Sequence, residues 1–272
     1  MMSNEQPIGI FDSGIGGLTV AGAIKKILPE ENLIYFGDTA HMPYGEKSAD
    51  LIVHYALQIT DFLLNNKNCK AIVIACNTAS AVAYESLREK YKGSVPVINV
   101  IDPMIEELIS YDDLKHVGII ATKATVKSGV YQEKISRRKP SLKYSALATP
   151  LLASMIEEGF FNDTISHAVL NEYLKDPVLS DIDSLVLACT HYPLIKKEIN
   201  EFYNGRVKIF DSAEVVAKKL KDILVKENLA SSKKTDRDYF YVSDYTRSFE
   251  QATRIFFNEE IKLDSPSVTF EK

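Results

Sequence analysis

Short apolar runs alternate along the chain with longer segments in which apolar residues recur at helical spacing. The runs that predict β-strands lie at residues 7–11, 33–36, 71–75, 97–101, 117–121, 142–147, 184–188, 207–210 and 239–242. Amphipathic stretches such as 51–65 and 213–225 lie between them and predict helices. The runs at 71–75 and 184–188 are apolar throughout, which is typical of parallel strands covered on both faces. This alternation predicts an α/β fold with mostly parallel sheets flanked by helices.

Four short motifs recur in the same order in the two halves of the chain. The pairs are Gly9-Ile10-Phe11 with Gly118-Ile119-Ile120, Leu33-Ile34-Tyr35 with Leu142-Lys143-Tyr144, 71–78 with 184–191, and Gly93-Ser94-Val95 with Gly205-Arg206-Val207. Their offsets fall between 109 and 113 residues, which indicates two related, pseudo-symmetric α/β lobes. The length of 272 residues also suggests two domains. We predict a first lobe of residues 1–97 plus 212–272, in which the last segment folds back, and a second lobe of residues 98–211.

A cysteine follows each of two matching apolar strands. One strand leads into Ala75-Cys76-Asn77-Thr78 and the other into Ala188-Cys189-Thr190-His191. Ligands of open α/β sheets bind beyond the carboxyl ends of the strands. Two lobes that face each other would therefore bring both thiols to one place, and we predict the active site in the cleft between the lobes.

Two thiols that face one carbon atom suit racemisation, which needs a base on one face of the carbon and an acid on the other. The residues after each cysteine predict a helix, from Ala79 and from Pro193. A helix N-terminus lowers the pKa of a thiol and offers N–H groups to a carboxylate. The hydroxyls of Thr78 and Thr190 would add donors. The alternative is that each cysteine is a small buried apolar residue, which is how we interpret Cys69.

A glycine-rich turn, Asp12-Ser13-Gly14-Ile15-Gly16-Gly17, follows the first strand. A dinucleotide would be one ligand for such a turn, with Asp38 on its ribose. Against this, Thr19 stands at the third glycine position of that motif, and the charge of Asp12 would repel a pyrophosphate. In a cleft that binds an amino acid, Asp12 would pair with the ammonium group or modulate the nearby thiol. Turn capping by Asp12 is the simpler alternative.

Two further segments contribute candidate site residues. The loop after the second strand contains Pro43-Tyr44-Gly45, and its place at the carboxyl edge of the sheet predicts that it faces the substrate. His191, two residues after Cys189, could deliver or receive a proton. No cluster of cysteines and histidines has the spacing of a zinc site, so no metal is expected.

Composition and charge argue against several classes of protein. Apolar residues make up 46% of the chain and charged residues 25%, as in ordinary globular proteins. The net charge of −5 and the lack of a dense basic block argue against nucleic-acid binding. No apolar run reaches the roughly 18 residues of a membrane-spanning helix, and no signal peptide is visible. Three cysteines are too few for a disulfide framework, so we expect a cytoplasmic protein.

Taken together, these motifs resemble those of the cofactor-independent aspartate/glutamate racemase family, and within it the glutamate racemases. The matching motifs are Phe11-Asp12-Ser13-Gly14-Ile15-Gly16-Gly17, Pro43-Tyr44-Gly45, Ala75-Cys76-Asn77-Thr78 and Cys189-Thr190-His191-Tyr192-Pro193-Leu194. The likeness extends from about residue 7 to about residue 258 and departs at Ala121-Thr122, where relatives have Gly-Thr. The resemblance implies racemisation of glutamate without pyridoxal phosphate, metal or nucleotide. It also implies a homodimer that supplies D-glutamate for peptidoglycan.

The resemblance further implies roles for individual residues. Cys76 would take the α-proton of D-glutamate, with assistance from Asp12. Cys189 would take the α-proton of L-glutamate, with assistance from His191 and from Glu157, which we favour over the neighbouring glutamate at position 158.

A wider set of residues would contact the substrate. The resemblance implies this role for Asp12, Ser13, Tyr44, Gly45, Asn77, Thr78, Thr190 and His191. Thr122 and Thr125, at the carboxyl end of the fifth strand, would hold a carboxylate. The expected partner is thus a small amino acid, with no nucleic acid and no membrane involved.

Three alternative functions are compatible with parts of the sequence. A racemase of aspartate or another acidic amino acid would use the same pair of thiols, because the thiols do not set the length of the substrate side chain. An amino-acid-binding module would have inert cysteines. An NAD-dependent enzyme would bind a nicotinamide cofactor at the glycine-rich turn.

Overall fold

The computed structural model describes residues 3–257, 259 and 261–265. Within that part of the chain the strands are β1 Ile8–Asp12, β2 Leu33–Gly37, β3 Ala71–Ile74, β4 Val97–Asn99, β5 His116–Ala121, β6 Lys143–Ala148, β7 Ser184–Ala188, β8 Lys208–Asp211 and β9 Tyr239–Val242. The α-helices are α1 Leu18–Ile27, α2 Ala49–Asp61, α3 Asn77–Val82, α4 Tyr84–Lys90, α5 Ile101–Ile109, α6 Lys123–Ser128, α7 Val130–Arg138, α8 Pro150–Glu157, α9 Thr164–Leu174, α10 Lys196–Phe202, α11 Ser212–Lys226 and α12 Arg247–Phe257. None of these helices is long and apolar enough to span a membrane.

Every run that predicts a strand forms one, with ends that differ by at most two residues. The strands make two parallel sheets, in the orders β4-β3-β1-β2-β9 and β6-β5-β7-β8. Helices pack on both sheets, because their strands are apolar on both faces and have to be covered. The predicted fold class, two parallel α/β sheets flanked by helices, is therefore confirmed.

The internal repeat is visible in strand order and in register. Read from its other edge, the second sheet runs β8-β7-β5-β6, which matches β4-β3-β1-β2 in the first. Gly9 pairs with Ile72 in one sheet and Gly118 with Leu185 in the other, at the offsets found in the sequence. The equivalent registers place Cys76 and Cys189 at the same edge of their sheets, one or two residues past a central strand.

The C-terminal segment lies against the first sheet. Strand β9 pairs in parallel with β2, and α12 and α11 both pack against α1. Strand β4, at Val97–Asn99, also belongs to the first sheet. The lobe boundaries at 97/98 and 211/212 stay predictions, and residues 1, 2, 258, 260 and 266–272 of the predicted first lobe lie outside the described residues.

A buried ion pair helps to hold that segment in place. Lys70 Nζ lies 2.5 Å from Glu31 Oε2, and the two side chains are 0% and 1% exposed. The same ammonium donates to the carbonyl of Asn4, and Glu31 Oε1 accepts from the backbone N–H of Ser231 at 2.8 Å. One ion pair thus joins the segment before β1, the residue before β3 and the connection that leads to β9.

We expect Lys70→Met to lower the free energy of unfolding by about 3–5 kcal/mol, because it leaves the buried carboxylate of Glu31 without a counter-charge. Lys90→Met is the control, since its ion pair with Asp61 is nearly half exposed and should contribute less than about 1 kcal/mol. Urea denaturation followed by circular dichroism measures both. Equal effects of the two substitutions would contradict the stabilising role of the buried pair.

Candidate active site

The carboxyl ends of the two sheets meet around a small cavity of about 40 Å³. It is lined by Ser13, Met42, Pro43, Tyr44, Gly45, Cys76, Asn77, Thr78, Thr122, Ala153, Ser154, Glu157, Cys189, Thr190 and His191. Both lobes contribute to this list, with Cys76 following β3 and Cys189 following β7. Of the predicted catalytic and substrate residues, Asp12 and Thr125 are absent from the wall, and both are buried.

Cys76 is the N-cap residue of α3, which begins at Asn77, two residues earlier than the predicted helix start at Ala79. Its Sγ accepts from the backbone N–H of Ala79 at 3.4 Å and lies 3.6 Å from Ser13 Oγ. Burial, reinforced by the charge of Asp12, raises the pKa of the Cys76 thiol to about 12. The N–H of Ala79 at the helix N-terminus lowers this pKa as predicted, but the loss of hydration outweighs it, so the prediction of a net lowered pKa is wrong.

Asp12 organises the glycine-rich turn. Its Oδ2 accepts from the backbone N–H groups of Gly14 and Gly17, both at 3.1 Å, as the turn-capping alternative predicted. Its Oδ1 lies 3.5 Å from the hydroxyl of Thr190 in the other lobe. Burial raises the pKa of the Asp12 carboxyl above its ordinary value. The two N–H groups that a pyrophosphate would need are thus already bonded, which disfavours the dinucleotide alternative.

A short relay stands behind the second thiol. Cys189 Sγ lies 3.5 Å from His191 Nδ1, and His191 Nε2 lies 2.7 Å from Glu157 Oε1. Burial by itself lowers the pKa of His191, but the hydrogen bonds and charges of Cys189 and Glu157 outweigh it and raise the pKa well above its ordinary value. The ring therefore favours the imidazolium form. Glu157 takes this place beside the ring, whereas Glu158 is exposed to solvent.

The peptide after Cys189 differs from its counterpart after Cys76. It forms a 3₁₀ turn over Tyr192–Ile195 before α10 begins, so the predicted helix start at Pro193 lies inside this turn. The phenol of Tyr192 is buried and is hydrogen-bonded to the side chain and carbonyl of Thr149.

The loop after β2 holds Tyr44 and Gly45 against the cavity. The Tyr44 hydroxyl donates to Asp38 Oδ2 at 2.6 Å, and the same carboxylate contacts His41 Nδ1 and the hydroxyl of Ser243. Asp38 thus anchors this loop and also joins it to Ser243, which follows β9. Gly45 touches the second lobe so closely that an added Cβ would lie 2.8 Å from Thr122 Cβ.

Three threonine hydroxyls cluster across the boundary between the lobes. Thr78 Oγ1, on the first lobe, lies 2.9 Å from Thr122 Oγ1 and 3.3 Å from Thr125 Oγ1 on the second. Thr122 lines the cavity, but Thr125 stands behind it. Thr122 is therefore the better placed of the two to meet a carboxylate.

Sequence reasoning missed some of the cavity wall. Ala153 and Ser154 line it, and they lie four and three residues before Glu157 on α8. Helical spacing from Glu157 was the signal that could have identified them. It also missed that Gly16 meets the other lobe, where an added Cβ would lie 2.4 Å from His191 Cε1.

Comparisons with known proteins agree on one family. The family described as Asp/Glu/Hydantoin racemase matches residues 18–220 of this chain. Glutamate racemase of Neisseria meningitidis serogroup A is 44% identical over 269 residues, covering 97% of this chain and 98% of that protein.

Two solved structures are similar over nearly their whole length. Glutamate racemase from Francisella tularensis, solved in complex with D-glutamate, has a TM-score of 0.90 and 39% identity, covering 97% of this chain and 98% of that one. Glutamate racemase isoform RacE1 from Bacillus anthracis has a TM-score of 0.92 and 31% identity, covering 98% and 100%.

We expect Asp12→Asn to lower the pKa of the Cys76 thiol from its value of about 12. A neighbouring carboxylate disfavours the thiolate, and an asparagine oxygen can still accept from the glycine-rich turn. The pH dependence of Cys76 alkylation by iodoacetamide, followed by peptide mass spectrometry, measures the shift. Asp50→Asn, at an exposed position of α2, is the control. A pKa that stays unchanged or rises in Asp12→Asn would contradict the electrostatic coupling.

Proposed function

The chain belongs to the Asp/Glu/Hydantoin racemase family and is an isomerase, and on that basis we propose that it interconverts L-glutamate and D-glutamate by two-base proton transfer at the α-carbon. No added cofactor takes part. The observation that carries the proposal is the pair of thiols on one cavity, Cys76 from the first lobe and Cys189 from the second.

The proposed reaction starts with one thiolate and one thiol. With D-glutamate, the Cys76 thiolate removes the α-hydrogen as a proton, and the electron pair of the broken C–H bond delocalises into the α-carboxylate. The Cys189 thiol then delivers its proton to the opposite face of the carbon and becomes a thiolate. L-glutamate results, and the reverse reaction can begin from the thiolate of Cys189. Nothing is oxidised or reduced.

The high pKa of Cys76 requires a positive charge before this thiol can act as a base. The substrate supplies one, because its ammonium group is attached to the reacting carbon and favours a nearby thiolate. Asp12 would assist from behind by pairing with the same ammonium group. On the other side, the His191 imidazolium, held by Glu157, would stabilise the thiolate of Cys189 that forms when this thiol gives up its proton.

The remaining polar groups of the wall would orient the substrate. We assign this role to Ser13, Tyr44, Gly45, Asn77, Thr78, Thr190 and His191, and to Asp12 from behind the wall. Thr122, with Thr125 behind it, would hold a carboxylate beside Gly45. Hydroxyl and amide donors suit this task because they bind an anion without placing a fixed positive charge next to the thiols.

Glutamate is favoured over aspartate because the similar proteins at 39–44% identity are glutamate racemases. An amino-acid-binding module would need neither the second thiol nor the relay that joins Cys189 to His191 and Glu157. The NAD-dependent alternative is weakened because Asp12 already occupies the N–H groups of the glycine-rich turn.

We expect proton NMR in deuterated water, without added cofactor, to show loss of the α-proton signal from D-glutamate and L-glutamate together with formation of the opposite enantiomer. Cys76→Ser and Cys189→Ser should each lower racemisation by about 10²–10⁴-fold, the contribution of a positioned base or acid. Each variant should retain α-proton exchange with at most one enantiomer. Cys69→Ser, which removes a buried thiol outside the cavity, should leave the rate unchanged.

Several outcomes would contradict this proposal. Exchange of the α-proton of aspartate but not of glutamate would indicate an aspartate racemase. Binding of glutamate without exchange would favour the amino-acid-binding module. Full racemisation by both single cysteine variants would exclude the two-thiol mechanism.

We also propose that the product D-glutamate is used for peptidoglycan and that the enzyme works in the cytoplasm as a homodimer, as the resemblance implies. Sedimentation equilibrium should therefore give twice the chain mass of 30.5 kDa. A mass that stays at one chain at all concentrations tested, with full racemase activity, would contradict the dimer.

A further inference from the structure

Within the described part of the chain, the side-chain amide of Asn77 makes a hydrogen bond through its oxygen but not through its nitrogen. Asn77 directly follows Cys76, lines the cavity and is 2% exposed. Its Nδ2 is buried and has no hydrogen-bond partner among the described residues. Buried polar atoms are nearly always paired in folded proteins. An unpaired donor on the wall of this cavity therefore points to an acceptor that arrives with the substrate.

The other end of this amide is held from the opposite lobe. The hydroxyl of Tyr131, on α7, donates to Asn77 Oδ1 at 3.1 Å. Tyr131 is 2% exposed and otherwise lies in an apolar cluster. If the amide were turned over, its NH₂ group would meet the phenol and its oxygen would face the cavity. The Tyr131 proton would then lose its acceptor in apolar surroundings, which carries a free-energy penalty.

We propose that Tyr131 is a positioning residue for the substrate: it holds the Asn77 amide with its N–H donors directed at a carboxylate of the bound amino acid. This inference rests on the proposed function, since it takes the cavity to bind an amino acid. The hydrogen bond from Tyr131 crosses between the lobes, so the amide is oriented only when the lobes are in contact. Tyr131 of the second lobe thus orients the N–H donors of Asn77, which belongs to the first lobe.

A double-mutant cycle tests the inference. We expect Tyr131→Phe to raise KM for both glutamate enantiomers about tenfold, the size expected for one misdirected hydrogen bond to a charged group. The kcat value should change far less, because the phenol touches neither thiol. Asn77→Ala should raise KM at least as much, and Tyr131→Phe should add nothing further in the Asn77→Ala background.

Tyr203→Phe is the matched control, because Tyr203 is also a buried tyrosine of the second lobe but its hydroxyl has no partner among the described residues. It should leave KM unchanged. The inference would be overturned if the increase in KM of the double variant equalled the product of the increases caused by Tyr131→Phe and Asn77→Ala alone. A lowered melting temperature of Tyr131→Phe with an unchanged KM, which is the result of a purely structural role, would also overturn it.

Failure of the proposed function gives a different result. If the wild-type protein binds glutamate without racemising it, the same cycle can be run on the dissociation constant measured by calorimetry. A tenfold weaker affinity in Tyr131→Phe, absent in the Asn77→Ala background, would then support the positioning role although the racemase proposal had failed. An unchanged dissociation constant would overturn it.

Discussion

The contact on which the site depends is the approach of Gly16 in the first lobe to His191 in the second. An added Cβ at Gly16 would lie 2.4 Å from the imidazole, so no other residue allows this spacing. Gly16 shares its turn with Asp12, and His191 shares its turn with Cys189. Thr190 links these turns, since its hydroxyl lies 3.5 Å from Asp12 and its carbonyl accepts from Thr19 at 3.0 Å. Without this contact the two thiols would belong to separate sites.

The repeat gives the two thiols equivalent positions but unlike surroundings. Cys76 lies next to a buried carboxylate and has a pKa of about 12. Cys189 lies next to His191, whose pKa is raised well above its ordinary value by that thiol and by Glu157. One side of the cavity therefore lacks a positive charge and the other has one. An amino acid that binds with its ammonium group toward Asp12 would place a positive charge beside Cys76 as well. Substrate binding would therefore bring the electrostatic surroundings of the two thiols closer together.

Much of the fold could be predicted because its signals are local. The apolar runs at 71–75 and 184–188 form interior strands of the two sheets. The residues that match in the two halves of the sequence also pair in the same way, Gly9 with Ile72 and Gly118 with Leu185. The pKa of Cys76 could not be predicted, because it results from burial among residues distant in the sequence, such as Phe11 and Tyr44, and from the nearby charge of Asp12. The contact of Tyr131 with Asn77 was also missed, since 54 residues separate them and Tyr131 has no neighbouring motif.

The exposure of the thiols constrains how a substrate reaches them. Cys76 and Cys189 are 5% and 7% exposed and the cavity beside them holds only about 40 Å³, so the lobes have to separate before an amino acid can enter between the two sulfurs. The polar contacts between the lobes, such as Tyr131 with Asn77 and Thr78 with Thr122, are individual hydrogen bonds with net contributions of about 1 kcal/mol each. Water can replace them one by one when the lobes separate. A bound carboxylate would add partners that water does not hold in place, which strengthens the contact between the lobes around a substrate.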